Sequence, residues 1–151
     1  MRKPILLIAG ALLILGAAVA LYLLTRPRVS DAAQIKQMLL QAQGYVNRRD
    51  VRRLMTLVSE DYDDGNYYKE DLRNLVKGIV NPTYSLEVIL SLKDLEVQDT
   101  TATATLFVQV TFGADHYTYD PLILKLHKER GKWLVTSATG WEKAQEDLPL
   151  G

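Results

Sequence analysis

The alternation of apolar and polar positions changes character twice along the chain. Residues 5–24 read ILLIAGALLILGAAVALYLL, an apolar run without a charge. About 20 such residues rising ~1.5 Å each match the ~30 Å hydrocarbon layer of a bilayer, where only a helix satisfies the backbone internally. Arg26-Pro27-Arg28 ends the run, since proline lacks an amide hydrogen and disfavours helix at the residue before it. A second regime starts at Ser30 or Asp31, both good N-cap residues. Ile35, Met38, Leu39, Ala42, Tyr45 and Val46 recur at three- and four-residue steps and predict an amphipathic helix, closed by Arg48 and Arg49 where positive charge suits the helix dipole. Asp50 caps a short second helix with Val51, Leu54, Met55 and Val58 inward. After a polar turn over 59–66, a third helix runs from about Lys69, with Leu72, Leu75, Val76 and Ile79 on one face and Asn81-Pro82 as its stop.

Beyond Pro82 the period drops to two, the signature of strands. Tyr84, Leu86, Val88, Leu90 and Leu92 alternate with Ser85, Glu87, Ser91 and Lys93. In the next strand Ala102, Ala104, Leu106, Val108, Val110 and Phe112 face one way, and Thr101, Thr103, Thr105, Gln109 and Thr111 the other, with Phe107 the large apolar residue on that polar side. A third strand spans about Tyr117 to Lys128, where Pro121 predicts an edge position or a bulge. Glu129-Arg130-Gly131-Lys132 turns into a fourth strand from Trp133, and the tail after Glu142 reads as frayed. Three helices followed by four strands on short turns predict an α+β domain, its helices packed on one face of an antiparallel sheet. The expected organisation is an anchor over 1–28 (span about 5–24), a domain over 29–145 and a tail over 146–151.

The rival reading of the apolar run is a cleaved signal peptide. Ala18-Val19-Ala20 has small residues at the right spacing, but Leu21-Tyr22-Leu23-Leu24 follows and would leave an apolar tail on the cleaved chain. The basic residues Arg2 and Lys3 before the run, with the α-amine, slightly outweigh Arg26 and Arg28 after it, which favours a cytoplasmic N-terminus and a domain outside the cytoplasm. Gly16 and Ala20 have the small-x-x-x-small spacing of packed helices, a spacing that Ala- and Gly-rich runs also contain by chance.

Charge changes the picture once those flanks are set aside. The chain has 18 basic and 18 acidic residues, and from Val29 onward 14 basic face 18 acidic, a net of −4. Nucleic-acid binders usually carry a basic face, so nucleic acid is not an expected partner. The absence of cysteine excludes disulfides, thiolate metal sites and cysteine nucleophiles. Asp61, Asp63 and Asp64 invite comparison with a calcium loop, but setting Gly65 at loop position six puts Tyr62 where a carboxylate belongs. His116 and His127 have no partner at metal-ligand spacing, so no metal is expected. Arg48, Arg49, Arg52 and Arg53 could meet anionic lipid headgroups, or be a solvated helix end interrupted by Asp50. No G-x-S-x-G elbow, phosphate loop or dinucleotide fingerprint occurs, and no cofactor is expected.

Several segments together resemble a known family: Leu57-Val58-Ser59-Glu60-Asp61-Tyr62-Asp63-Asp64-Gly65, Asp71-Leu72-Arg73, Thr103-Ala104-Thr105-Leu106, and Lys128-Glu129-Arg130-Gly131-Lys132-Trp133-Leu134-Val135. In this order, over Ala32 to Trp141, the chain resembles the SnoaL-like branch of the nuclear transport factor 2-like superfamily. The resemblance implies a cone, a curved sheet wrapped around helices with a cavity between. It also implies a choice between ketosteroid isomerase-like or polyketide cyclase-like enzymes and non-catalytic, sometimes membrane-anchored, binding or assembly domains. The enzyme reading would use Tyr45 and Asp61, yet the inward positions from Ala102 to Phe112 supply no acid to complete an oxyanion-binding pair. Cavity-lining candidates are Tyr45, Asp61, Tyr62, Val108, Val110 and Trp133; Phe107 and Gln109 are candidates for a homodimer or protein interface. The leading expectation is a membrane-tethered, non-catalytic domain that binds a small apolar ligand or pairs through its sheet.

Overall fold

A computed structural model describes residues 3–25, 29–80 and 85–147, with side chains for 10–25, 29–80, 85–144 and 147. The chain divides into two compact units, Met1–Ser30 and Asp31–Gly151. The first contains a helix, α1, Lys3–Thr25. Its 23 residues rise about 34 Å. Along it Leu13, Ile14, Leu21 and Leu24 are exposed, and Thr25 Oγ1 donates to the Leu21 carbonyl at 2.7 Å. Counted over the described residues, no helix is long and apolar enough to cross a membrane. The expected span, 5–24, starts ahead of Gly10, where described side chains begin, so the side chains of its first part lie outside those described.

In the second unit the helices are α2 Asp31–Asn47, α3 Val51–Met55 and α4 Lys69–Ile79, close to their expected bounds. Asp50 caps α3 by accepting from the Arg53 amide at 3.1 Å. α2 buries Ile35, Met38 and Leu39, the heart of its apolar stripe. A further short helix, α5 Glu142–Asp147, replaces the expected frayed tail, because Ala144 packs into the core and gives the segment a buried contact.

The sheet is an antiparallel meander in the order β1-β2-β3-β4, with β1 Leu86–Gln98, β2 Thr101–Phe112, β3 Asp115–Glu129 and β4 Lys132–Thr139. β2 buries Ala102, Ala104, Leu106, Val108, Val110 and Phe112 and turns the alternate residues outward, as its period requires. β1 runs further than its alternation predicts. A bulge at Lys93 shifts the parity, so Leu95 and Val97 face inward where a strict two-residue repeat would place Asp94 and Glu96. Pro121 lies in an interior strand. It is accommodated at a second bulge, where Leu106 pairs with Leu122 and Val108 with Tyr119, leaving Asp120-Pro121 opposite Phe107. β4 bulges at Thr136. Bulges on three strands increase twist and curve the sheet around α2.

Part of each sheet edge is covered. On β1, Asn47 pairs with both backbone groups of Val88 (2.9 and 2.7 Å) and Gln43 accepts from the Leu90 amide at 2.8 Å. On β4, the polar turn after α3 is pinned: Ser59 N donates to Val135 O, Val135 N to Leu57 O and Asp63 N to Thr136 O. Covering edge amides in this way removes a template for unwanted strand pairing.

Candidate functional site

Between α2, α3, α4 and the concave sheet face lies a cavity of about 240 Å³. Met38, Leu39 and Ala42 come from α2, Met55 and Val58 from α3 and its end, Leu72 and Val76 from α4. Leu90, Leu106, Leu122, Leu124, Val135 and Ala138 form the sheet side. Tyr62 and Trp141 are the wall residues with polar side-chain atoms, and both atoms are occupied. Tyr62 donates its hydroxyl to Asp64 Oδ2 at 2.7 Å, and Trp141 Nε1 donates to the Ala138 carbonyl at 3.0 Å. Burial first, then the Asp64 carboxylate, pushes the Tyr62 phenol well above its ordinary range, so it stays protonated. Asp64 is held in turn by the amides of Asn66 and Tyr67 at 2.9 and 2.8 Å, and the Tyr67 ring meets Trp141 at 5.4 Å.

The expected cavity residues do not converge. Tyr62 is in the wall. Val108 and Val110 are buried in the sheet core away from the cavity lining. Tyr45 and Trp133 line a separate groove between α2 and the β3–β4 hairpin, together with Gln37, Gln41 and Lys132. There the Arg48 guanidinium sits 5.5 Å from the Tyr45 ring. Trp133 Nε1 donates to Asp31 Oδ1 at 3.2 Å, beside the 2.8 Å Lys128–Asp31 pair. These two donors hold the Asp31 carboxyl below its usual range, Lys128 having the larger effect. Asp61 is exposed and lines an outer cleft with Arg52, Lys69, Arg73, Arg130 and Lys132. Tyr45 and Asp61 therefore belong to different depressions, and neither reaches the cavity. The physical reason is local: Ser59 is buried, with its hydroxyl donating to Glu129 at 2.8 Å, and it turns the next residues outward before Tyr62 comes back in.

The arginine cluster is also divided. Arg48 stacks on Tyr45, Arg53 pairs with Asp50 at 3.5 Å, and Arg52 faces the outer cleft. His116 Nδ1 lies 3.1 Å from Thr111 Oγ1 and His127 Nδ1 lies 4.0 Å from Glu129. Among the described residues no group of His, Cys, Asp and Glu could hold a metal. On the outer sheet face Phe107 is half-buried and Gln109 exposed.

Of the wall residues Tyr62 alone was among the expected cavity residues; the rest, Leu72 and Val76 of α4, Leu122, Leu124 and Ala138 of the sheet and Trp141 among them, were missed from sequence. The amphipathic face of α4 was the available signal for Leu72 and Val76. For the strand residues there was none, because cavity-lining and core-filling apolar residues share one alternation.

No protein-family model and no curated protein matches the chain. Solved structures do. A nuclear transport factor 2-like protein of unknown function from Shewanella oneidensis MR-1 superposes with a TM-score of 0.60 at 15% identity, covering 72% of this chain and 97% of that one. A candidate scytalone dehydratase from Novosphingobium aromaticivorans DSM 12444 gives 0.61 at 13%, with 72% and 80% covered. A nuclear transport factor 2-like protein of unknown function from Pseudomonas putida KT2440 gives 0.57 at 16%, with 72% and 85% covered. At such identities the likeness speaks to fold alone. The domain that begins at Asp31 has the nuclear transport factor 2-like fold.

Proposed function

We propose that this chain is a membrane-tethered, non-catalytic binding domain of the SnoaL-like branch, whose cavity holds a small apolar ligand. One observation carries the binding reading: the space between helices and sheet is walled by apolar side chains, and the polar atoms in its wall are already bonded. General acid–base chemistry needs a titratable group within reach of the reacting atoms. Tyr45 and Asp61 do not supply one there. An apolar cavity of ~150 Å³ stays dry and takes a benzene-sized guest. At about 240 Å³ this one is larger than that, and below the ~300 Å³ at which sites for drug-sized ligands begin.

The tether rests on residues 5–24, a charge-free run of bilayer length. The basic residues ahead of it support a cell-membrane location with the domain outside the cytoplasm. Resistance of the protein to alkaline extraction from membranes supports this reading, and its release as a soluble species removes it. For the cavity, the test is mass spectrometry of compounds released from protein isolated in native nanodiscs, together with the melting temperature in benzene. A retained apolar compound or a saturable rise in Tm is expected. With neither, the binding reading fails.

A second reading, pairing of the outer sheet face with another copy or a partner protein, is favoured by two apolar neighbours. Phe107 pairs with Ser91 and Ile89 with Gln109, so Phe107 and Ile89 are cross-strand diagonal neighbours, ~7–8 Å apart in such ladders. Ile89 is 41% exposed.

A further inference from the structure

The apolar cavity and the outer basic cleft share a wall. Met55 and Val58 line both, and α4 contributes to both, with Leu72 and Val76 toward the cavity and Lys69 and Arg73 toward the cleft. The cleft encloses about 790 Å³. It gathers five cations, Arg52, Lys69, Arg73, Arg130 and Lys132, against the carboxylates of Glu60, Asp61 and Glu129, in a domain whose overall charge is negative. Some of these charges are engaged: Lys69 with Glu60, Arg73 with Glu70 at 2.9 Å, and Glu129 with the Ser59 hydroxyl. Arg52, Arg130 and Lys132 have no ion-pair partner among the described residues.

We infer that the ligand is a single-chain amphiphile with a carboxylate head, its tail in the cavity and its head in the cleft; the inference rests on the cavity reading above. Scaled from the ~150 Å³ that accommodates benzene's six carbons, the cavity holds about ten carbons. That is the length of a medium-chain fatty acid and too short for a two-chain membrane lipid. The head has a receptor in Lys69, whose side chain is 12% exposed while that of its partner Glu60 is 88% exposed. An ion pair with one partner in water contributes little, so Glu60 yields Lys69 to an incoming carboxylate at small cost. Met55 stands at the partition, and its unbranched, adaptable side chain suits a wall that the chain must pass.

The test uses the full chain in nanodiscs of zwitterionic lipid, titrated at neutral pH with sodium octanoate and with 1-octanol. The change in tryptophan fluorescence is the readout, Trp141 being the tryptophan in the cavity wall and Trp133 a constant background, and empty nanodiscs are the blank. At low salt octanoate binds about fivefold tighter than octanol, and the advantage shrinks at high salt. Lys69→Met and the surface substitution Lys132→Gln each lower the octanoate advantage and leave octanol binding unchanged. Equal binding of the two probes, or a preference that survives both substitutions, overturns the carboxylate site while leaving the apolar cavity standing. If neither probe binds, the cavity reading falls and the inference with it.

Discussion

The Tyr62 hydroxyl and the Asp64 carboxylate meet at 2.7 Å, two residues apart in sequence, and that bond takes a phenol's polar atom out of an otherwise apolar cavity. Tyr119 offers the contrast. Its hydroxyl is buried with no hydrogen-bond partner among the described residues, and burial, helped by the nearby Asp147 carboxylate, pushes its pKa up to about 12. Tyr62→Phe should cost about 1–2 kcal/mol, whereas Tyr119→Phe should be neutral or stabilising by about 1 kcal/mol. Denaturant unfolding of the two variants checks the difference in sign.

Tyr119 also sets an alkaline limit. From the ordinary value of 10.0 up to about 12 the folded chain retains a proton that the unfolded chain has lost, so its stability contribution is full below that window and disappears as pH rises through it. Melting temperatures between pH 9 and pH 11 should fall less steeply for Tyr119→Phe than for the parent protein.

Asp31 sets the opposite limit. Its carboxyl is lowered by Lys128 first and Trp133 second, so its contribution is present above the ordinary carboxylate range and is lost as pH falls through the folded pKa. Glu60, lowered chiefly by Lys69, has the same sign. Asp31→Asn should flatten the decline of Tm on acidification, which a melting series through the acid range would show.

Gly140 is a packing constraint that no small side chain satisfies. It has φ of 93°, and a β carbon there would lie 2.1 Å from the Pro121 carbonyl oxygen. Gly140→Ala should therefore destabilise by about 2 kcal/mol or more, through backbone strain and displacement of β3 together. An unchanged unfolding midpoint would contradict this geometry.

Ala42 faces the cavity from α2. Ala42→Leu places new methylenes in empty space and should stabilise by about 1 kcal/mol, after allowing for imperfect fit. The same substitution should abolish the benzene-induced rise in Tm. A more stable variant that still responds to benzene would place the guest elsewhere.

Phe107→Asp addresses the outer face. If that face pairs, the charge should dissociate the assembly, read as a change in mass by light scattering in nanodiscs or detergent. An oligomeric state unchanged from the parent's would remove the pairing surface and leave the cavity untouched.

Local period was enough to identify α2, α4 and β2, because a helix or strand with one buried face must repeat its apolar residues at 3.6 or 2 positions, whatever it packs against. The alternation from Ala102 to Phe112 is legible for that reason. The register shift at Lys93 was not, since a bulge is a property of a strand pair and appears only when β1 is laid against β2. The candidate site divides along the same line. Tyr62 stands among Glu60, Asp61, Asp63 and Asp64 in a turn that reads as polar, and only the resemblance put it near a cavity; whether Tyr45, Asp61, Val108 and Val110 reach a common space depends on where Ser59 is anchored to Glu129 and how far the sheet curves. The sequence alone determined which residues are apolar and at what spacing. Which of those apolar surfaces meet, and which leave a gap, was settled by packing in three dimensions, because a cavity is the volume that packing fails to fill, and no single segment contains it.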